Sequence, residues 1–468
     1  MNNPTKRRKF LTVATSTLAS MGLTYTVFGS NFKDQNSGYL GENNNVKNFG
    51  AKGDGQTDDS QAIQRAIIEG KNGLFFPKGH YKISETIEMD LDKLGYGSIR
   101  GEGTAQIIMT GSGPAFKIKG THFQSADPQN FDPRVWSSER MPIVEGLSIE
   151  GQHEMAVGIE AVGTMQLAIT RVQIRKTLHA IHLTGNNRNL IISDCHFYEN
   201  HGIGIFYDEV NLHQSNITAC HISYNDGGGI VTKGGNIRNI HITGCDLESN
   251  MGKNNPPAAN VLIDCSDSEG GTAEVAITGC TIQHNRNAPH SANIRILGKS
   301  KVPGTNSKQP WGNVTITGNV LSDVMVNIDL QQCRGVVITG NTIWQGYDHG
   351  LVMDGCSHVL LGANLFDSNP NYTPGRTASN GLLVHNCEDC TFSGVQVFGV
   401  KDVAGINIRH SKRMNIGNCT ILDCDNIGLS LENVSHSRVS GCLISNEQEG
   451  EAFIPVKISG GEGNVILE

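Results

Sequence analysis

The sequence has little of what compact globular cores, nucleic-acid-binding proteins and membrane proteins are built from. Hydrophobic residues make up only 37% of the 468 residues, and aromatic residues only 6%. The formal net charge is −8, which disfavours a nucleic-acid partner because phosphate contacts need a basic surface. No segment has the roughly 18 consecutive apolar residues that a membrane-spanning helix requires. We therefore expect neither a nucleic-acid partner nor a membrane span.

Paired metal-binding motifs are also missing. The chain has 12 cysteines, but Cys387-x-x-Cys390 has no second C-x-x-C pair that would complete a zinc site. An even number of cysteines in an exported chain would permit disulfides. Their positions favour another interpretation, because most of them recur at one place in the repeat described next.

Glycine is abundant, with 56 residues, and a repeat fills two thirds of the chain. From residue 142 onward, short alternating apolar segments such as LIISDCHF, SNITACHI, IHITGCDL and VTITGNVL realign every 22 to 39 residues. Periods of this size are typical of solenoids and propellers. Strands of four or five residues without intervening helices favour stacked coils. The sequence predicts an all-β fold, a parallel β-helix of about 12 coils.

One position of the repeat is always cysteine or asparagine, as expected for side chains that stack from coil to coil about 4.8 Å apart. Its members are Cys195, Cys220, Cys245, Cys280, Asn319, Asn341, Asn364, Cys419 and Cys442. A second file contains Cys333, Cys356 and Cys387. Buried cysteine is a compact apolar filler, so we predict that most of the cysteines are reduced stacking residues.

The first 30 residues carry four basic residues and no acidic one. The segment Arg7-Arg8-Lys9-Phe10-Leu11, followed by a modest apolar run, predicts a twin-arginine export signal over 1–30. A linker over 31–45 follows. The mature protein is expected to be periplasmic, attached to the cell surface or secreted.

The stretch VKNFGAKGDGQTDDSQAIQRAIIE (46–69) lacks the Lys-Ser/Thr of a phosphate loop. We interpret its aspartates, Asp54, Asp58 and Asp59, as turn and cap residues, with Thr57 or Asp58 as the N-cap of a short helix. Continued by LFFPKGHYKIS, the stretch resembles the N-terminal signature of the pectate-lyase/rhamnogalacturonase-like right-handed parallel β-helix superfamily. The resemblance implies an N-terminal cap with a short capping helix and first coils over 46–141, then parallel β-helix repeats over 142–468.

The resemblance also implies an enzyme that cleaves a polysaccharide in a cleft along the outward face of the second strand of each coil. Aligning that strand predicts one file of outward side chains: Asp208, Lys233, Asp264, Leu297, Asp329, Asp354, His385, Arg409 and Glu432. Its ionisable members Asp208, Lys233, Asp264, Asp329, Asp354, His385 and Arg409 are the candidate catalytic residues. The N-T-D, D-D, G-H-G, R-I-K and D-P-H-D motifs of related hydrolases and epimerases are absent from the repeat region, so the reaction stays open.

Three alternatives follow. A lyase acting on an acidic polymer would use Lys233 or His385 as base, and Arg409 or a bound calcium ion to neutralise the substrate carboxylate. A glycoside hydrolase would use Asp329 and Asp354, predicted on neighbouring rungs. The third alternative is a non-catalytic carbohydrate-binding or surface β-helix protein. No cofactor is certain and no metal-ligand set is assigned, and either a monomer or a trimer is compatible with the sequence.

Several side chains outside this file are candidates for substrate binding because they lie near it in the sequence or on long insertions. They are Tyr207, His213, Tyr224, Asp226, Arg295 and Arg376. The insertions 249–260, 284–293 and 368–380 precede the outward strand and bring further cations and aromatics, including Arg286 and Tyr372. Four histidines recur beside the strands and are interpreted as surface or turn residues: His182, His196, His221 and His241.

Overall fold

The computed structural model describes residues 44–70, 73–127, 129–253, 258–301, 308–372, 374–375, 377–448 and 453–467. The predicted export signal over 1–30, most of the 31–45 linker and the candidate Arg376 lie outside the described residues. Within the described part of the chain, no helix is long and apolar enough to cross a membrane.

The N-terminal cap contains the predicted helix, which spans Ser60–Glu69. Its apolar side chains are buried against the first coil: Ala62, Ile63, Ala66 and Ile67. The other helical segments are short: a 3₁₀ turn Val46–Phe49, a single turn Leu91–Leu94 and a π turn Val135–Glu139. The capping helix therefore closes the open end of the hydrophobic core.

The N-cap prediction is wrong by one residue, because the helix begins after Asp59. The Asp59 carboxylate accepts hydrogen bonds from the backbone N–H groups of Lys52 (2.7 Å) and Gly53 (2.9 Å) rather than from the helix. Asp58 instead accepts from the backbone N–H (3.0 Å) and hydroxyl (2.6 Å) of Ser60. Both carboxylates are engaged in turn and cap hydrogen bonds.

Forty-one strands form one parallel sheet that winds into three faces, as predicted for a parallel β-helix. The first face consists of Ile87–Asp90, Gly113–Lys119, Ala156–Met165, the first half of Ile181–Ser193, Ile203–Asp208, Gly228–Lys233, Ala259–Asp264, Ala292–Leu297, Val324–Gln331, Gly346–Asp354, Gly381–His385, Ile406–Arg409, Ile427–Glu432 and Ile454–Ser459. From residue 142 on, twelve of these strands follow one another in the described residues, in line with the predicted coil number.

The second and third faces complete each coil. The second face consists of Leu74–Phe76, the first halves of Ser98–Met109 and Ile143–Gly151, Ala168–Thr170, the second half of Ile181–Ser193, Asn211–Thr218, Asn236–Thr243, Gly271–Thr278, Gly312–Thr317, Arg334–Thr339, Ser357–Leu361, Thr391–Ser393, Asn415–Gly417, Arg438–Ser440 and Val465–Leu467. The third consists of Asp54–Asp58, Gly79–Ile83, the second halves of Ser98–Met109 and Ile143–Gly151, Gln173–Arg175, His196–Tyr198, His221–Ser223, Asp246–Glu248, Thr281–Gln283, Val320–Ser322, Thr342–Ile343, Leu365–Asp367, Gln396–Phe398, Thr420–Leu422 and Leu443–Ser445. Lys299–Lys301 and Lys308–Pro310 form a separate antiparallel hairpin.

Two kinds of stacked file hold the coils in register. All twelve cysteines are free and eleven of them are buried, which confirms the stacking interpretation. The predicted asparagines also stack, since Asn319 donates to Asn341 (3.0 Å) and Asn341 donates to Asn364 (2.9 Å).

A longer amide ladder was not predicted. It runs through the buried side chains of Asn200, Asn225, Asn250, Asn260, Asn293 and Asn327, each donating to the next at 2.7–2.8 Å. Because every amide in the run has a partner, the ladder links successive coils without leaving a buried polar group unsatisfied.

Candidate functional site

The strand register defines one file of outward side chains along the first face. It consists of Asp208, Lys233, Asp264, Leu297, Gln331, Asp354, His385, Arg409 and Glu432. The predicted file is therefore confirmed except at one position, where Gln331 stands in place of Asp329.

Asp329 lies two residues earlier on its strand, where it pairs with Val352, while Asp354 pairs with Gln331. The predicted Asp329/Asp354 pair on matching rungs is wrong. Asp329 instead forms a buried ion pair with Arg295, whose Nε lies 2.7 Å from its carboxylate, and each residue is 8% exposed. The sequence contained the correct register, because the outward residue lies two positions before the stacked cysteine, as Gln331 does before Cys333.

Two of the predicted substrate-binding side chains are unavailable to a ligand. Tyr207 is 0% exposed and its hydroxyl is hydrogen-bonded to that of Ser215 at 2.6 Å inside the coil. Successive side chains of a strand point to opposite faces, so Tyr207 must point inward if Asp208 points outward. Arg295 is held in the buried pair with Asp329 and also donates to the carbonyl of His290 (2.7 Å). Both assignments are corrected to structural roles.

The remaining substrate-binding candidates are spread over the coil. Tyr224 and Asp226 lie on the connection before the first-face strand Gly228–Lys233, and the Tyr224 hydroxyl donates to Glu248 (3.0 Å). His213 lies on the second face, between Arg188 and Arg238 in the register. The structure thus brings Tyr224 and Asp226 to the edge of the first face but leaves His213 away from it.

Lys233 stands between Asp208 and Asp264 in the outward file but is not paired with either carboxylate in the described residues. Its ammonium is exposed and makes no ion pair with Asp208 or Asp264 in the described part of the chain. Asp264 accepts hydrogen bonds from the backbone N–H (2.9 Å) and hydroxyl (2.6 Å) of Ser266. Lys233 therefore stands on the outward file as a cation that can meet an external anion.

Four charged side chains on successive rungs of the first face form what we call the N-terminal ionic group: Lys117, Glu160, His182 and Asp208. Lys117 Nζ lies 2.8 Å from Glu160, whose other oxygen lies 3.7 Å from His182 Nδ1. The opposite ring nitrogen, Nε2, lies 3.0 Å from the Asp208 carboxylate. A single imidazole is therefore held between two carboxylates.

The electrostatics of this group favour the charged form of His182. Burial opposes protonation, but the interactions with the carboxylates of Glu160 and Asp208 outweigh it and raise the pKa of His182 above its ordinary value. The nearby His182 ring, together with Lys117, lowers the pKa of Glu160 to about 2. Perturbed ionisable groups of this kind, arranged around a specific charge partner, are typical of functional sites.

A second histidine and an aromatic ring shield the group. The ring of Phe206 stacks on His182 with centroids 5.5 Å apart, and His179 lies 5.0 Å from Phe206. Burial, together with nearby His182, lowers the pKa of His179 to about 4. Its Nδ1 accepts a hydrogen bond from the backbone N–H of Ile203 (3.1 Å), so neutral His179 carries its proton on Nε2.

A more open cluster, the C-terminal ionic group, lies farther along the same file: Asp354, His385, Arg409 and Glu432. His385 Nδ1 lies 3.1 Å from Asp354, and Arg409 Nε lies 3.4 Å from Glu432. Each of these side chains is about half exposed. The adjoining turns line an open depression of about 520 Å³ that includes Asn386, His410 and Asn433. The predicted neighbours Asp354, His385 and Arg409 are thus brought together.

Neither group is arranged as a metal site. Among the residues that the structure describes, no three or more His, Cys, Asp or Glu side chains are arranged to hold a metal ion.

The sequence interpretation missed Lys117, Glu160 and His182, and it treated His182 as a surface or turn residue. A signal for them was present. Glu160 follows Gly158-Ile159, and His182 follows Ala180-Ile181 in the same place of the next coil. This position lies two residues before the aligned file, and side chains two residues apart share one face of a strand.

Comparison with known proteins identifies the family. Residues 44–287, more than half of the chain, match the family described as Rhamnogalacturonase A/epimerase, pectate lyase-like. The chain belongs to this family. The predicted superfamily of right-handed parallel β-helices is thereby confirmed. Residues 242–464 also match the family described as Periplasmic copper-binding protein (NosD).

Similar individual proteins match over little sequence or at low identity. Alginate lyase 7 of Azotobacter vinelandii is 52% identical over 44 residues, which is 8% of this chain and 5% of that protein. A tailspike protein mutant of E. coli bacteriophage HK620, in complex with a hexasaccharide, has 12% identity and a TM-score of 0.57 over 91% of this chain and 78% of that one. The A-module of the A. vinelandii mannuronan C-5 epimerase AlgE4 has 14% identity and a TM-score of 0.43 over 90% and 96%.

At such identities the structural likeness shows the fold alone. The family match supports a carbohydrate-active protein that binds or processes polysaccharide.

Proposed function

We propose that the protein is an exported enzyme that cleaves an acidic polysaccharide bound along the first face, with His182 as its proton donor. The observation that carries this proposal is the His182 ring held between Glu160 and Asp208 on the outward side of the coil. Both hydrolysis and elimination must deliver a proton to the departing glycosidic oxygen. A raised pKa extends the pH range over which a histidine is protonated, and a protonated imidazole is suited to that step.

The surroundings of His182 provide a carboxylate that can contact a substrate and, one rung further, a cation that favours an acidic substrate. Asp208 is the more exposed of its two carboxylates, with 36% of its side chain accessible against 18% for Glu160. Asp208 can therefore meet the substrate while Glu160, tied to Lys117, keeps the imidazole charged. Lys233, on the rung after Asp208, is an exposed cation that would bind a substrate carboxylate.

A second candidate is elimination at the C-terminal ionic group. The His385 Nδ1 contact with Asp354 orients the ring and leaves Nε2 as the nitrogen that could take a proton from the substrate. Arg409 on the next rung would release Glu432, bind a uronate carboxylate in its place and neutralise its charge. His385 and Arg409 would thus supply the base and the carboxylate-binding cation that a lyase needs. The buried Arg295–Asp329 pair, in contrast, offers no support for a hydrolase built on Asp329.

The test is incubation of the full chain with pectins, alginate, glycosaminoglycans and sulfated algal polymers, with and without calcium. Absorbance of an unsaturated uronate reports elimination, and new reducing ends without that absorbance report hydrolysis. We expect His182→Gln to lower turnover at least 100-fold and the exposed control His201→Gln to leave it unchanged. Loss of turnover in His385→Gln but not in His182→Gln would show that the reaction takes place at the second candidate site. Binding without turnover on every polymer would favour the non-catalytic alternative.

We further propose that residues 1–30 direct export through the twin-arginine route. The Arg7-Arg8 pair before an apolar run supports it, as does the partial match to a family described as periplasmic. The division into a signal (1–30), a linker (31–45), a cap with first coils (46–141) and repeats (142–468) belongs to the same proposal. Fractionation of cells that produce wild type or the Arg7→Lys/Arg8→Lys variant tests export. Equal export of both would contradict the twin-arginine route.

A further inference from the structure

Three connections between the third and first faces converge on one patch, which we call the rim patch: Arg286, Trp344, Tyr347 and Tyr372. Trp344 directly follows the third-face strand Thr342–Ile343, and Tyr347 lies at the start of the first-face strand Gly346–Asp354. Arg286 and Tyr372 come from the corresponding connections of other coils. The rim patch therefore borders the first face on the coil that carries Asp354.

Arg286 is an exposed cation with a fixed position and no acidic partner. Its guanidinium donates to the Tyr347 hydroxyl (3.0 Å) and lies over the Tyr347 ring, 5.0 Å from the centroid. It forms no ion pair with a carboxylate among the described residues. Tyr347 is fixed in turn, because its hydroxyl donates to the buried side chain of Gln345 (3.0 Å) and its carbonyl accepts from Ser379 (3.1 Å).

The aromatic part of the patch is also anchored at its base. The backbone of Trp344 is bonded on both sides, to the carbonyl of Leu321 (3.0 Å) and to Asn327 (3.1 Å), the last side chain of the amide ladder. The ring of Tyr372 packs edge-on against Trp344 with centroids 5.0 Å apart, yet Tyr372 is 69% exposed. An exposed tyrosine ring packed on a half-buried tryptophan, near a cation that has no ion pair among the described residues, is an arrangement that folding alone does not require.

We propose that the rim patch binds a uronic acid residue of a polysaccharide. The apolar face of the pyranose ring would pack against Tyr372 and Trp344, and its carboxylate would bind Arg286 through charge-assisted hydrogen bonds. The side chains that hold Arg286 are already in place, so little ordering entropy opposes binding. The inference rests on the proposed function only in sharing its class of ligand, because binding at the patch needs no proton transfer.

The experiment is affinity electrophoresis of the full chain through gels containing polygalacturonate, alginate, a sulfated neutral galactan or dextran. Arg286→Gln and Tyr372→Ala change exposed side chains, so both variants should fold, which circular dichroism would verify. Arg334→Gln is the matched control, because it removes the same charge from an exposed site on the second face. We expect about tenfold weaker uronate binding in Arg286→Gln, roughly fivefold weaker binding in Tyr372→Ala, and wild-type binding in Arg334→Gln.

The outcomes separate this inference from the proposed enzyme. Uronate binding that falls in the two patch variants supports the subsite, even if no polymer is cleaved. Equal binding by Arg286→Gln and wild type overturns it, even if polymers are cleaved normally. Absence of wild-type binding to either uronate polymer overturns it as well. If the sulfated galactan retards the wild type more strongly than the uronate polymers do, and Arg286→Gln abolishes this retardation, the ligand is a sulfate ester. That outcome would overturn the stated ligand class.

Discussion

At the residue scale, the N-terminal ionic group couples protonation to stability. His182 gains its proton affinity from two carboxylates, and Glu160 loses affinity for protons through the same contact. A group with a raised pKa stabilises the fold below its ordinary pKa, and this contribution is lost as the pH rises through the raised value. A carboxylate with a lowered pKa stabilises the fold above its ordinary pKa and loses that contribution as the pH falls.

The two effects overlap in a defined window. The stabilisation from His182 is complete below the ordinary histidine pKa of 6.5. The stabilisation from Glu160 is complete above its ordinary pKa of 4.5 and is lost as the pH falls toward about 2. We expect His182→Gln to cost about 1–3 kcal/mol of unfolding free energy between these values and less at pH 9. Urea denaturation of wild type, His182→Gln and the control His201→Gln measures this. A cost that is the same at pH 5.5 and pH 9 would contradict the charged His182.

The buried Arg295–Asp329 pair gives a second prediction at this scale. Removing one partner leaves the other as an uncompensated buried charge, whereas removing both does not. We expect Arg295→Met and Asp329→Leu each to cost about 3–5 kcal/mol, and the double variant to cost less than the sum. Chemical denaturation of the four proteins forms a double-mutant cycle. Strictly additive costs would show that the two side chains are not coupled.

The same residues show where sequence reasoning about the site succeeds and fails. The outward file was predictable because most of its members are ionisable residues that end the second strand of each coil. Asp329 is misplaced in the prediction because only the spacing to the stacked Cys333 identifies Gln331 as the outward residue, and Tyr207 because it neighbours an outward aspartate and therefore points inward. The ion pair between Arg295 and Asp329 was not predictable, since two charges on neighbouring outward rungs do not reveal that other residues bury them.

At the element scale, the amide ladder forms a continuous chain of side-chain hydrogen bonds through the interior of the coil. Asn225 is 0% exposed, donates to Asn250 and to the Phe197 carbonyl, and accepts from Asn200. The ladder could not be predicted from the sequence because its members are unequally spaced, at 25, 25, 10, 33 and 34 residues. The insertions before the outward strands disrupt the period, although they do not disturb the stacking.

Interrupting the ladder should be costly. Asn225→Ala removes the side-chain hydrogen bonds to Asn200 and Asn250, and it leaves the Asn200 amide with only the Ile174 carbonyl, at 3.4 Å, as its acceptor. We expect a loss of about 2–4 kcal/mol in unfolding free energy. The control Asn216→Ala, at an exposed position of the strand Asn211–Thr218, should stay within about 0.5 kcal/mol of wild type. Similar denaturation midpoints for the two variants would show that the ladder adds no stability.

At the scale of the whole molecule, the fold was predictable because each coil repeats one pattern and contacts only its neighbours. The cap was predictable from the apolar face of its helix, whereas its first residue was not, because Asp58 and Asp59 both suit an N-cap. The register of strand pairing determines how successive coils align, and this can be tested on the complete chain.

Deleting residues 200–224 removes one coil and joins Glu199 to Asn225, which is the equivalent of Asn200 one coil later. We expect the shortened chain to fold, with a length reduced by about 4.8 Å, and to lose turnover because Lys233 would take the place of Asp208 beside His182. Deleting 200–223 instead shifts later strands by one residue and turns inward side chains outward. Circular dichroism and small-angle scattering compare the two. Equal folding of both deletions would contradict register control.

If the protein is exported as proposed, its buried thiols have a consequence for how it survives in an oxidising compartment. Hydrogen bonding to Cys195, together with burial, raises the pKa of the Cys220 thiol to about 12, and burial raises that of Cys390 to about 12. Thiols so far from ionisation do not exchange disulfides. In an oxidising compartment these buried thiols of the intact coil would therefore be inert, while an unfolded chain would expose twelve competing nucleophiles. Unfolding there would be irreversible, since mispaired disulfides would block the return to the stacked state.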